Sequence, residues 1–264
     1  VIRLIRSESL KLFTTRLWWG LLIGVVLTSV AFAILAASTA GRSLGGGAAS
    51  PGLNDPAVVR SVYTAGLGVA YVFALALGVI AMAGEYRHQT MTATVLASPR
   101  RLRIVVSKLI TLIAVGAGYG VATVAAGVLA GAVVIAVRGG ELRLGSDGVP
   151  RALVLAVLAV ALWTVLGLAV GTLIRNQVLA LLLAIGIAWI AEPIVAFALN
   201  ALNVGEVAEY LPSQATSALV QPSTGGGGVT ISLLPWWGGA LVLLGYALVA
   251  GALGAAITLR RDIT

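Results

Sequence analysis

Residues 84–103 read GEYRHQTMTATVLASPRRLR, a polar and basic stretch set between two long apolar runs. Residues 62–83 before it carry no Asp, Glu, Lys or Arg, and residues 106–137 after it carry only Lys108. A helix needs about 20 predominantly apolar residues to cross a bilayer, and both runs qualify. Within the stretch, Met91, Val95 and Leu96 fall at helical spacing and make a small apolar face. Thr90 and Thr94 sit one turn apart, as do Arg87 and Met91. Glu85, ahead of this segment, is placed to complement the positive end of its dipole. Ser98-Pro99 ends the helix, because the residue before proline avoids the α region. Arg100, Arg101 and Arg103 mark the return to the membrane surface. A loop that merely holds topology needs positive charge alone. The apolar stripe and the acidic start instead predict a short amphipathic helix of about 20 Å, presented to a soluble partner.

The rest of the composition agrees with a bilayer. Of the 264 residues, 59% are hydrophobic and 10% charged, whereas a soluble domain carries about 25% charged residues. Length alone admits one or two soluble domains, but the apolar runs leave no room for one. The expected fold is all-α, a single polytopic membrane domain over residues 1–264. The net charge of +8 does not point to nucleic acid, because the basic residues cluster at the ends of apolar runs, where they set membrane orientation. The absence of cysteine excludes disulfides, thiolate metal sites and Cys nucleophiles. His88 is the single histidine and cannot build a multi-histidine metal site. No cofactor is expected. Val1 stands where Met is usual, as an alternative start or a trimmed terminus.

Six segments are long and apolar enough to span: roughly 17–37, 62–83, 106–137, 151–174, 178–199 and 236–259. With these spans, Arg3, Arg6, Lys11, Arg16, Arg87, Arg100, Arg101, Arg103, Lys108, Arg175, Arg260 and Arg261 fall on one side. Only Arg42, Arg60, Arg138, Arg143 and Arg151 fall on the other. The richer side is expected in the cytosol, together with both termini and the 84–105 segment. The Gly/Ser/Pro-rich loop 38–61 and the region 200–235 then face outward. The first apolar run exceeds the 7–15 residues of a signal-peptide core, which argues against cleavage. The N-terminal residues 1–16 predict a helix lying in the interface. Ile2, Ile5, Leu12 and Phe13 share one face, Arg3, Arg6, Lys11 and Arg16 reach headgroups, and Trp18 and Trp19 sit at headgroup level. The third span is too long for a straight crossing. Lys108 favours projection of its first turns into the cytosol, since a charge is costly at depth.

The run Gly84-Glu85-Tyr86-Arg87-His88-Gln89-Thr90, continued by Leu96-Ala97-Ser98-Pro99-Arg100-Arg101 and then Lys108-Leu109, resembles the second-to-third-helix connection of ABC-2 type transporter permeases, especially those common in actinobacteria. Gln89 stands where Gly is frequent, a mild departure. The resemblance extends to the interfacial first helix, six spans and a long outer segment before the last. It implies that residues 84–103 contain a cytoplasmic coupling helix seated in a separate ATP-binding subunit. Glu85, Tyr86, Arg87, His88, Thr90, Met91, Thr94, Leu96, Pro99, Arg100 and Arg101 take that role by position. It also implies a permease dimer, homo- or heteromeric, paired with two ATPase chains, in the cell membrane and working as an exporter. The chain has no Gly-x-x-x-x-Gly-Lys-[Ser/Thr] phosphate loop of its own. The runs Gly45-Gly46-Gly47 and Gly225–Gly228 lack the lysine and read as outer loops.

Glu192 is the one acid inside a predicted span. An intramembrane acid is a functional candidate by default, which makes it a pathway residue. The alternative is a helix that ends early at Pro193, leaving Glu192 at the outer headgroups. Beyond it, residues 206–220 are semi-polar, bounded by prolines and too short to span. The resemblance implies short outer helices there. The pairs Gly116/Gly120, Gly127/Gly131 and Gly167/Gly171 permit close helix packing, first of all within the subunit. Few polar groups face inward, so amphiphilic or hydrophobic cargo is expected. Two rivals stand beside a permease. A non-transporting anchor or sensor fits the spans alone. A membrane-embedded enzyme needs convergent nucleophiles, acids or metal ligands, which the sequence does not supply.

Overall fold

The computed structural model describes residues 2–42, 51–87, 101–145, 148–174, 176–220 and 233–260. Among them there is no strand. The helices are α1 (Ile2–Phe13), α2 (Leu17–Thr39), α3 (Pro56–Thr64), α4 (Leu67–Arg87), α5 (Arg101–Val137) and α6 (Val149–Leu173). They continue as α7 (Gln177–Gly186), a π turn at Ile187–Ala191, α8 (Glu192–Ala201), α9 (Gly205–Ala208), α10 (Pro212–Val220) and α11 (Trp236–Arg260). Six segments are long and apolar enough to cross a membrane. They are α2, α3 with α4, α5, α6, α7 with α8, and α11, and they coincide with the six expected spans. Leu27 is 64% exposed, Leu129 70%, Leu182 67% and Phe197 77%. Side chains of this kind on the outside of long apolar helices require hydrocarbon as solvent.

The core forms where α4 and α6 cross. Glycine makes the crossing close: a Cβ on Gly167 would stand 2.0 Å from the Leu75 carbonyl oxygen, and one on Gly78 would stand 2.1 Å from that of Thr164. Gly116 and Gly120 of α5 meet α6 at Ala161 and Val157 in the same way, while Gly127 and Gly131 meet Val62 and Tyr63 of α3. All three glycine pairs therefore serve packing within the subunit. Tyr71 of α4 stacks on Trp163 of α6 with ring centroids 4.5 Å apart, at the heart of an apolar cluster of Leu75, Leu162 and Leu243.

Two elements differ from expectation. Helix α3 starts inside the segment read as an outer loop, 38–61, and runs into the expected second span. Asp55 caps it by accepting from the Ala57 amide at 2.8 Å, with Pro56 opening the first turn. Its Val59, Val62 and Tyr63 are buried against α5 and α6. The Gly/Ser content upstream hid a short capped helix. The fifth span runs through Pro193 as its expected range did, but with a π turn the sequence did not reveal. Proline removes a donor and crowds the preceding turn. The chain meets this with the wider π turn at Ile187–Ala191 and continues as helix to Ala201. Helix α5, at 37 residues, is about 55 Å long by helical rise. It outreaches the roughly 30 Å hydrocarbon core, as expected.

Candidate functional site

At the end of the bundle where α4 stops and α5 starts, four ionised side chains close a ring. The Lys108 ammonium lies 2.6 Å from Glu8 Oε2 and 3.0 Å from Glu85 Oε1. The Lys11 ammonium lies 2.7 Å from Glu8 Oε1 and 3.0 Å from Glu85 Oε1. Each cation thus touches both carboxylates. Glu8 and Lys11 come from one face of α1, three residues apart, where helical side chains are neighbours. Glu85 comes from the last turn of α4 and Lys108 from the second turn of α5. Glu8, Glu85 and Lys108 are 5–6% exposed, whereas the Lys11 side chain keeps 36%. Burial raises the Glu8 carboxyl, but the Lys108 charge beside it and the hydrogen bonds from Lys108 and Lys11 bring it below its usual value. Burial lowers the Lys11 ammonium, and its bonds to Glu8 and Glu85 more than reverse this. Both groups are held ionised.

Local structure aims α1 at this place. Thr14 and Thr15 end the helix by donating to the Leu10 and Leu12 carbonyls, both at 2.8 Å. The indole of Trp18, the second residue of α2, donates to the Phe13 carbonyl at 3.1 Å. The Phe13 and Trp18 rings meet edge to face at 5.1 Å. Tyr119 of α5 donates to the Trp18 carbonyl. The elbow between α1 and α2 is thus fastened to α5, and Glu8 falls over Lys108.

Three residues of the sequence analysis gain partners here. Lys11, expected to reach headgroups, joins the ring and keeps part of its side chain exposed. Lys108, whose charge favoured projection of the first turns of α5, is buried between two carboxylates that neutralise it. Glu85 lies in the last turn of α4, and the separate helix expected after it falls outside the described residues. A carboxylate in a last turn is disfavoured by the helix dipole, and the two lysines offset this. Glu8 was missed altogether. Its signal was the Glu-x-x-Lys spacing in α1, which gives one helix face an internal ion pair.

Tyr86 is half-buried beside Met82, Leu112 and Leu168. Arg87 closes α4 and Arg101 opens α5. The remaining predicted coupling residues, His88, Thr90, Met91, Thr94, Leu96, Pro99 and Arg100, lie outside the described residues. The ring therefore ties α1 to the two helices that flank them.

A cavity of about 540 Å³ adjoins the ring. All four ring residues line it, with Leu12, Leu17 and Trp18 on one side and Leu77, Ile80 and Gly84 of α4 on another.

Glu192 sits at the far end of the bundle's interior and is 8% exposed. Its Oε2 accepts from the Ser213 amide at 2.8 Å, so it satisfies a first-turn donor of α10. One turn further along α10, Thr216 accepts from the Trp163 indole at 2.9 Å. Two polar contacts thus seat α10 on the core.

The family model described as ABC-2 family transporter protein matches residues 4–263. Comparison with curated proteins gives no match.

Proposed function

Because the chain belongs to the ABC-2 transporter family, a family of multi-pass membrane components of ABC transporters, we propose that it is the permease subunit of an exporter driven by a separate ATPase. Residues 84–103 contain the coupling helix, residues 1–16 the interfacial helix and residues 200–235 the outer cap. Both termini and the coupling helix face the cytosol of the cell membrane. Two copies, or this chain and a related one, pair with two ATP-binding subunits. ATP binding draws those subunits together, the coupling helices move with them, and the permease dimer reshapes its central space. Differential affinity of the two arrangements for ATP drives the shift.

The observation that carries this reading is the ion ring. It fastens α1 to the ends of both helices flanking residues 88–100, so a displacement there is passed to three elements at once. Glu192 is a pathway candidate on this reading, through its hold on α10. The cargo is amphiphilic or hydrophobic, in keeping with the apolar lining of the bundle.

The test is co-purification. Substitution of Arg87 and Met91 is expected to weaken capture of the cognate ATPase and to abolish ATP-dependent transport in vesicles. Full capture and full transport in both variants would remove the coupling role from this segment.

A further inference from the structure

We propose that the cavity beneath α1 is a binding site for an amphiphile with an uncharged, hydroxyl-bearing head and a single apolar chain. Its volume of about 540 Å³ lies in the range of small-molecule sites. Its lining is mixed: Leu12, Leu17, Trp18, Leu77 and Ile80 offer apolar surface, and the ion ring, with Thr14, Thr15, Thr111 and Gln177, offers polar groups.

The ring selects the head. It contains two carboxylates and two ammoniums, each touching both of the opposite sign at 2.6–3.0 Å. A head with net charge would be drawn to one sign and repelled by the other a few ångströms away, and would lose its hydration on entering. A hydroxyl can donate to a carboxylate oxygen or accept from an ammonium without adding charge. Glu85 has the capacity: its Oε2 is buried and has no hydrogen-bond partner, while Oε1 accepts from both lysines. That oxygen is covered, so its engagement requires a small shift of the ring. The occupant would thereby touch the group that links α1, α4 and α5. That the occupant is cargo rests on the permease reading; that it binds does not.

Gly84 supplies a clean plug. It lines the cavity, and a Cβ built on it meets nothing within 4 Å. A larger side chain there enters open space.

The test uses the full chain in lipid nanodiscs and four probes of equal chain length: dodecyl maltoside, dodecyl phosphocholine, dodecyl sulfate and dodecyl trimethylammonium. Trp18, in the cavity wall, reports by fluorescence, with Trp18→Phe giving the background from the other tryptophans. A saturable Trp18 signal is expected with the maltoside. Gly84→Leu is expected to weaken it at least about tenfold, equivalent to about 1.4 kcal/mol, and Gly84→Ala to weaken it less. Dodecyl sulfate and dodecyl trimethylammonium, whose heads carry net charge, should bind more weakly than the maltoside, and so should dodecyl phosphocholine, whose two charges lose hydration on entering; phosphocholine binding as tight as the maltoside would overturn the uncharged head. Equal, non-saturating responses to all four probes would mean ordinary partitioning and overturn the site. So would a maltoside response unchanged in both Gly84 variants. Adding ATP to the reconstituted complex then identifies the source. Probe expelled from vesicles marks a cargo site, whereas probe retained marks a site for resident lipid. Binding is read on the permease alone, so it can fail while coupling stands, and lost ATPase capture leaves it intact.

Discussion

Removing Lys108 should damage the protein far more than removing Lys11, although both touch the same two carboxylates. Lys108→Met deletes contacts of 2.6 and 3.0 Å and leaves Glu8 and Glu85, 6% and 5% exposed, sharing one partner. Truncating one side of a buried ion pair costs about 3–5 kcal/mol, because the other charge stays buried. Lys11 keeps 36% of its side-chain exposure. Water reaches the site it vacates, and Lys11→Met should cost about 1 kcal/mol or less. Adding Glu8→Gln to Lys108→Met restores neutrality, with Glu85 still paired to Lys11. The double variant should therefore be less impaired than the sum of its parts, by about 1–3 kcal/mol, the range for directly coupled residues. The assay is unfolding in mixed micelles followed by tryptophan fluorescence, run as a double-mutant cycle. Equal costs for the two lysines, or strict additivity of Glu8→Gln with Lys108→Met, would refute the ring as a closed buried unit.

Three further outcomes follow from the same structure. Gly167→Ala forces a Cβ to 2.0 Å from the Leu75 carbonyl and should cost about 3 kcal/mol or more by overpacking; Gly118→Ala, which meets nothing within 4 Å, should stabilise α5 by about 0.5–1 kcal/mol, both read by thermal denaturation. Glu192→Ala leaves the Ser213 amide without its acceptor and should speed hydrogen exchange in α10 by an amount corresponding to about 0.5–2 kcal/mol, whereas Glu192→Gln keeps an oxygen there and should change it little. For pH, the lowered Glu8 carboxyl adds stability above its unfolded value near about 4.3 that is lost as pH falls through its lower folded value. The raised Lys11 ammonium adds stability below about 10.4 that is lost as pH rises through its higher folded value. Trp18 fluorescence should therefore stay flat from about pH 5 to 10, with an acid transition that Glu8→Gln diminishes.

The spans were legible because hydrocarbon imposes one local rule, a run of about 20 apolar residues, that any window of sequence reveals. The glycine pairs were legible for a similar reason, since small residues at helical spacing mark close crossings. The ring was not. Glu8, Glu85 and Lys108 are separated by 77 and 23 positions, and each alone reads as a flank or an anomaly. Lys108 looked expensive because its partners were unseen, and Glu85 was weighed only against the segment after it, not against its own place in the last turn of α4. Helix α3 was hidden by composition. Only the Asp55-Pro56 cap carried its signal, in a stretch otherwise rich in loop residues. For Glu192 the sequence left two readings, and the continuation of α8 to Ala201 rules out a helix that ends at Pro193.

An ion ring at this position differs physically from the apolar packing that holds the rest of the bundle. Helices packed by methyl groups can slide past one another by repacking, each contact contributing only about 0.1–0.2 kcal/mol. Buried charges cannot separate so gradually. Parting α1 from α4 and α5 breaks the Glu8–Lys108 and Lys11–Glu85 contacts together and leaves each charge with one partner in place of two, a cost that sliding apolar side chains do not meet. Within the proposed cycle, a push on residues 88–100 that moved α4 and α5 without α1 would have to meet that cost on every stroke. Moving the three together avoids it. The ring therefore makes rigid-body motion of α1 with the bases of α4 and α5 the path of least resistance. Because α1 turns directly into α2 at an elbow held by Trp18 and Tyr119, such a motion reaches the first span without passing through the α4–α6 core. The tight Gly167 and Gly78 contacts can then stay closed while the inner ends of the spans rearrange, so the part of the bundle least able to deform is not asked to.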